Sequence, residues 1–103
     1  MSSTLEAKLK DIAKEGAQSE LRGTSGTCRF DVDGRESLWI RVENATVTLL
    51  DTPVDADCTL SSSSDDWDRI ATGEQNPMTT WLRGDLKVGG DVQLANKVGH
   101  LFL

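Results

Sequence analysis

The sequence predicts an α+β domain in which a five-stranded sheet is covered on one face by helices. Apolar residues recur at helical spacing near both ends of the chain. Between Thr27 and Leu50 the apolar period drops to two, with turn signals at short intervals. The resulting order, α-βββ-β-αα-β-α, is a meander followed by mixed elements, which pack best as helices over a sheet. With 103 residues, one domain spanning 1–103 is expected.

The first helix is expected from Ser3 to about Ala17, with Leu5, Leu9, Ile12 and Ala13 on one side. Ser3-Thr4-Leu5-Glu6 fits a capping box, and Glu6 with Lys10 is a favourable i,i+4 pair. Gly23, Ser25 and Gly26 then break the pattern. Cys28, Phe30 and Val32 alternate with Arg29, Asp31 and Asp33, a strand with one wet face, and Asp33-Gly34 is a tight-turn signal. Leu38, Ile40 and Val42 make a second strand. After Asn44-Ala45, Val47 and Leu49 make a third. Asp57-Cys58-Thr59-Leu60 is a short fourth strand.

Ser62 to Ser64 can cap a helix whose first turn carries Asp65 and Asp66, where the helix dipole favours negative charge. Trp67, Ile70 and Ala71 form its apolar side, and Gly73 ends it. Asn76-Pro77 starts a short helix carrying Met78, Trp81 and Leu82, stopped by Gly84. Leu86-Lys87-Val88 is the fifth strand, and Gly89-Gly90-Asp91 reads as a turn. Leu94, Val98, Leu101 and Phe102 share one face of the last helix.

Charge and inventory exclude several functions. Eleven Lys and Arg against 17 Asp and Glu leave a net charge of −6, with no basic patch for nucleic acid and no polybasic segment for an anionic membrane. No apolar run nears the roughly 20 residues of a membrane span, and the first residues lack a signal-peptide pattern, so a cytoplasmic location without stable membrane insertion is expected. Cys28 and Cys58 stand in alternating strands with no ligand spacing and read as buried free thiols; they can bridge only if their strands are neighbours.

A single histidine, His100, supplies neither a triad nor a zinc site, and reads as a helix-terminal residue. Asp65-Asp66-Trp67-Asp68 point in different directions on a helix and make a poor cation cage. Asp31-Val32-Asp33-Gly34 lacks the rest of a calcium loop, and Gly84 with Gly89-Gly90 lacks the lysine and hydroxyl of a phosphate loop. No metal, no cofactor and no catalysis are expected. The remaining apolar residues permit two readings: an ordinary packed core, or helices covering a cavity for an apolar ligand. Periodicity does not separate them.

Four segments carry a resemblance. Ala56-Asp57-Cys58-Thr59-Leu60, Gly73-Glu74-Gln75-Asn76-Pro77, Leu82-Arg83-Gly84-Asp85-Leu86-Lys87-Val88-Gly89-Gly90 and Leu94-Ala95-Asn96-Lys97-Val98 look like the sterol carrier protein type-2 domain, in its order. Thr27 to Leu50 matches more loosely. The resemblance implies a sterol-carrier-protein-like sheet and helices enclosing an apolar tunnel for a sterol, fatty acid or acyl chain, without catalysis. Met78, Trp81 and Leu82 would then roof the tunnel, and Leu94, Val98, Leu101 and Phe102 would line or gate it. Phe30, Leu38, Ile40, Val47, Leu49, Cys58 and Leu60 would form the sheet wall, joined by Trp67 and Ile70.

Peroxisomal members of that family end in a targeting tripeptide, whereas this chain ends in Leu101-Phe102-Leu103. Its acidity offers no basic site for a CoA phosphate, so a free lipid is the expected guest. The competing expectation is an accessory module with a reduced or vestigial tunnel that docks to an enzyme of lipid or quinone metabolism through its sheet face or last helix; an enzyme partner or a homodimer is the expected assembly.

Overall fold

The computed structural model describes residues 4–103. Helix α1 (Thr4–Lys14) buries Leu5, Leu9 and Ile12; Ser3 of the expected capping box lies outside the described residues. α1 stops three residues short of Ala17, because Gly16 turns left-handed at φ 80°. A 3-10 turn at Ser19–Leu21 follows, burying Leu21, and the Gln18 N–H donates to the Ala45 carbonyl at 2.6 Å. A lone leucine has no periodicity to announce it.

Strands β1 (Gly26–Val32), β2 (Leu38–Glu43), β3 (Thr46–Leu50), β4 (Cys58–Ser62) and β5 (Leu86–Gly90) form one sheet in the order β3-β2-β1-β4-β5. The first three strands are the expected meander; β4 returns beside β1 in parallel, and β5 is antiparallel to β4. Asn44 and Ala45, both with positive φ, make the two-residue turn between β2 and β3 whose twist matches the strands. Rows of partners such as Leu38–Phe30–Leu60–Val88 cross the inner face, so Phe30, Ile40, Val47, Cys58 and Leu60 are buried on one side, with Leu38 and Leu49 packed beside them. Trp39, Arg41 and Arg29 stand on the other face by alternation.

β5 runs on through Gly89 and Gly90, which the sequence pattern assigns to a turn. Asp57 explains this. Its backbone N–H donates to the Thr27 carbonyl (2.8 Å), its Oδ2 accepts from the Thr27 N–H (2.9 Å), and its carbonyl accepts from the Asp91 N–H (2.9 Å). Gly90, at φ 77°, lies so close that a Cβ there would collide with the Asp57 carbonyl.

Helix α2 (Ser64–Thr72) starts at Ser63, whose Oγ accepts from the Asp66 N–H, and ends on Gly73 at φ 85°. Helix α3 (Pro77–Leu82) follows, then α4 (Val92–Gly99), which tightens into a 3-10 turn at His100–Phe102. α1 packs on β3 and α2, whereas α4 lies over β4, β1 and β5, and α3 over β5. The inner face is thus divided: the β2–β3 half lies under α1 and is filled, and the β4–β5 half lies under α3 and α4.

Candidate ligand cavity

A cavity of about 310 Å³ occupies the second half of that layer, between β4, β5 and helices α2, α3 and α4. At its deep end stand Leu60, Trp67, Leu86, Ala95 and Phe102, all buried. Toward its mouth stand Met78, Val88, Gln93 and Asn96, together with Trp81, 40% exposed, and Val92, 53% exposed. Pro77 and Gly99 complete the lining.

An aromatic triad builds the deep wall. Phe30 meets Trp67 edge-on with ring centroids 5.4 Å apart, and Phe102 lies 6.1 Å from both. Such edge contacts follow the ring quadrupoles. The Trp67 Nε1–H donates to the Asp31 carbonyl at 3.0 Å, which fixes the indole.

Helix α3 is set by its polar anchors. The Asn76 side chain accepts from the Met78 N–H at 2.7 Å, and Pro77 needs no donor partner at the first helical position. The Thr80 hydroxyl is fully buried: it donates to the Asn76 carbonyl (2.9 Å) and accepts from Gln75 Nε2 (2.6 Å), which also donates to Asp66 Oδ1 (3.1 Å). With Pro77 and Thr80 turned inward, Met78 and Trp81 fall along the cavity edge. Leu82 is 80% exposed and off the cavity, whereas the family resemblance implies a place on the roof. In a helix of six residues, two buried anchors three apart decide the facing.

The same rotation operates in α4. Asp91 caps it, accepting from the Leu94 N–H at 3.1 Å. The stripe facing the cavity is Val92, Ala95, Asn96, Gly99 and Phe102. Of the expected face, Phe102 alone reaches the cavity; Leu94 and Val98 are buried in the core, and Leu101 packs against it.

Of the other expected site residues, Leu60, Trp67, Met78 and Trp81 lie on the cavity. Phe30, Ile40, Val47, Cys58 and Ile70 are buried in the core, with Leu38 and Leu49 packed against it; none of these lines the cavity. Phe30 lies behind it, its single ring in contact with those of Trp67 and Phe102. The residues that sequence reasoning missed are Pro77, Leu86, Val88, Val92, Gln93, Ala95, Asn96 and Gly99. Half of these are small or polar, and a search for large apolar periodicity passes over them.

Among the described residues no lining side chain is ionisable: the polar ones are the amides of Gln93 and Asn96 and the indole groups. The lining therefore offers burial to an apolar body and hydrogen bonds to a polar end at the mouth. It holds no base, nucleophile or anionic ligand for a metal, and the described residues contain no cluster of His, Cys, Asp or Glu that could hold a metal ion.

The two cysteines lie outside this lining. They face each other in register across β1 and β4 with Sγ atoms 3.0 Å apart, unbridged. Their shared hydrogen bond, followed by burial, pushes the Cys28 thiol well above its ordinary range, while the same bond lowers that of Cys58.

Comparison with known proteins agrees with this architecture. Sterol carrier protein 2 of Bos taurus is 33% identical over 105 residues, covering 96% of this chain, and that of Rattus norvegicus is 35% identical over 100 residues, covering 91%. The chain spans only 19% and 18% of the lengths of those relatives. Among solved structures, the UbiJ-SCP2 ubiquinone synthesis protein superposes with a TM-score of 0.65 at 23% identity, over 95% of this chain and 89% of that one. Palmitated SCP2L2 from Aedes aegypti gives 0.62 at 15% identity, over 95% and 86%. Residues 5–103 match the family described as SCP-2 sterol transfer, and on that match and the cow relative's identity the chain belongs to that family.

Proposed function

We propose that this chain is a non-catalytic, intracellular carrier domain that shelters one acyl chain in the cavity beneath α3 and α4. The observation that carries the reading is the cavity itself: about 310 Å³, open at one side, with no ionisable group among the described residues of its wall. Ligand pockets span roughly 300–1,000 Å³ and are mostly apolar, so this one is at the small end. A dry cavity of about 150 Å³ takes a benzene ring. By that measure 310 Å³ takes about a dozen carbons, a short or medium acyl chain rather than a fused sterol skeleton.

Burying about twelve methylenes gains about 10 kcal/mol at ~0.8 kcal/mol each, before association costs of at least about 4 kcal/mol. The remainder, at most about 6 kcal/mol, corresponds to dissociation constants of about tens of micromolar or weaker. The exposed amides of Gln93 and Asn96 suit a carboxylate end, and the palmitate named for the Aedes aegypti neighbour is a ligand of this chemistry. The lining contains no Lys or Arg, which favours a free acid over an acyl-CoA. Two buried, unbridged thiols suit a reducing compartment.

Titration with dodecanoate, followed by native mass spectrometry, tests the reading. It expects one saturable equivalent at tens to hundreds of micromolar dodecanoate; no binding at millimolar fatty acid would refute it.

A second reading, an accessory module, draws on the outer sheet face. There the indole N–H of Trp39 is buried without a hydrogen-bond partner among the described residues, and the UbiJ neighbour's name links that neighbour to ubiquinone synthesis. Capture of one stoichiometric enzyme partner that is lost on Trp39→Ala, without lipid binding, favours this alternative.

A further inference from the structure

One lining residue is a glycine whose presence the backbone does not explain. Gly99 is the last residue of α4, buried, with φ −58° and ψ −34°. Any residue adopts those angles. Glycine usually closes a helix because the chain turns left-handed there, and here it does not. A second common reason, close approach of a neighbour, is absent too: a Cβ built on Gly99 meets no heavy atom within 4 Å. Gly90 in the same chain shows the contrast, since a Cβ there runs into the Asp57 backbone. Glycine in a helical position is less favourable than alanine, so Gly99 costs stability without relieving strain or crowding.

What the missing side chain leaves is space. Gly99 is buried and lines the cavity, and the place a Cβ would take is open. The stripe along α4 gives the cavity a length. Val92 stands half-exposed at the mouth, and buried Gly99 lies seven residues further along α4, about 10 Å away along the helix axis at 1.5 Å per residue. Phe102, behind it, is buried. Ala95, between them, is the other small residue of the stripe.

We propose that Gly99 sets the depth of the cavity and thereby the length of acyl chain the domain accepts. The inference rests on the carrier reading above and deepens it. A side chain at this position occupies the place of the guest's terminal carbons. In a close-packed site each added carbon excludes about one guest carbon. Gly99→Leu, with four side-chain carbons, shortens the preferred guest by about four carbons, and Gly99→Ala by about one. Gly99→Ala also raises Tm of the unliganded protein by about 4 °C, since it gains helix propensity and collides with nothing.

The test is competition of saturated fatty acids from octanoate to octadecanoate against a fluorescent fatty acid, on the wild type, Gly99→Ala, Gly99→Leu and Lys97→Leu. Lys97 is exposed on α4 and off the cavity, so its variant keeps the wild-type profile. The expected result is a leftward shift of the chain-length profile in the order wild type, Ala, Leu, with at least tenfold weaker binding of the longest chain the wild type accepts in Gly99→Leu. Should Gly99→Leu fail to fold, the one-carbon shift and raised Tm of Gly99→Ala carry the test. Wild-type binding with unshifted profiles in both Gly99 variants overturns the role of Gly99 and leaves the carrier reading standing. Absence of fatty-acid binding in the wild type overturns the carrier reading, and the role of Gly99 with it.

Discussion

Trp67→Phe probes the wall that keeps the cavity open. The indole is 1% exposed, meets Phe30 edge-on at 5.4 Å, and donates to the Asp31 carbonyl at 3.0 Å. Phenylalanine keeps a ring near Phe30 but cannot make that bond. Losing it costs about 1 kcal/mol. The smaller ring leaves roughly 40 Å³, and at about 24 cal/mol per Å³ this adds about 1 kcal/mol. A total near 2 kcal/mol lowers Tm by about 10 °C in a domain of this size. Thermal melts by circular dichroism measure it, with Trp39→Phe on the opposite sheet face expected to lose no more than about 0.5 kcal/mol, since its indole N–H has no partner among the described residues to lose. Because Trp67 lines the cavity, the new void joins it, so dodecanoate should raise the variant's Tm more than the wild type's. A Tm loss below about 3 °C, or equal losses for Trp67→Phe and Trp39→Phe, would refute the reasoning.

Two further outcomes follow from the fold. Gly90→Ala forces a Cβ into the Asp57 carbonyl at a positive φ, so the β4–β5 pair and the start of α4 should separate; a loss of at least about 3 kcal/mol in urea unfolding is expected, and a neutral variant would contradict the geometry. Cys28 and Cys58 are buried side by side, so neither should react with a thiol reagent in the native state and both should in denaturant; fast native labelling would show that the sheet opens there.

The sheet was legible in the sequence because each strand has one wet face. Phe30, Ile40, Val47 and Leu60 alternate with polar neighbours, and a period of two leaves little freedom of register. The caps were legible too, since Ser63, Gly73 and Asn76 act within a few residues of themselves. Gly89 and Gly90 misled the pattern because the contact that keeps them in the strand comes from Asp57, far away in sequence.

The cavity was hardest to read, for a physical reason. Periodicity finds large apolar side chains, and those fill space: Ile40, Val98 and Ile70 are fully buried in the core. A cavity forms where side chains are small or point past one another, as with Ala95, Gly99 and the turned helix α3. Alternation therefore locates the half of the inner face that α1 seals more readily than the half that stays open.

The central claim is that an acyl chain lies tail-inward between α4 and the aromatic triad. Intermolecular nuclear Overhauser effects from the terminal methyl of bound dodecanoate measure this directly. The account predicts cross-peaks to the Gly99 Hα and the rings of Phe102 and Trp67, with the carboxylate end near Gln93 and Asn96. Cross-peaks to Trp39 on the outer sheet face, or a methyl that reports only on Trp81 and Leu82 at the surface, would contradict it.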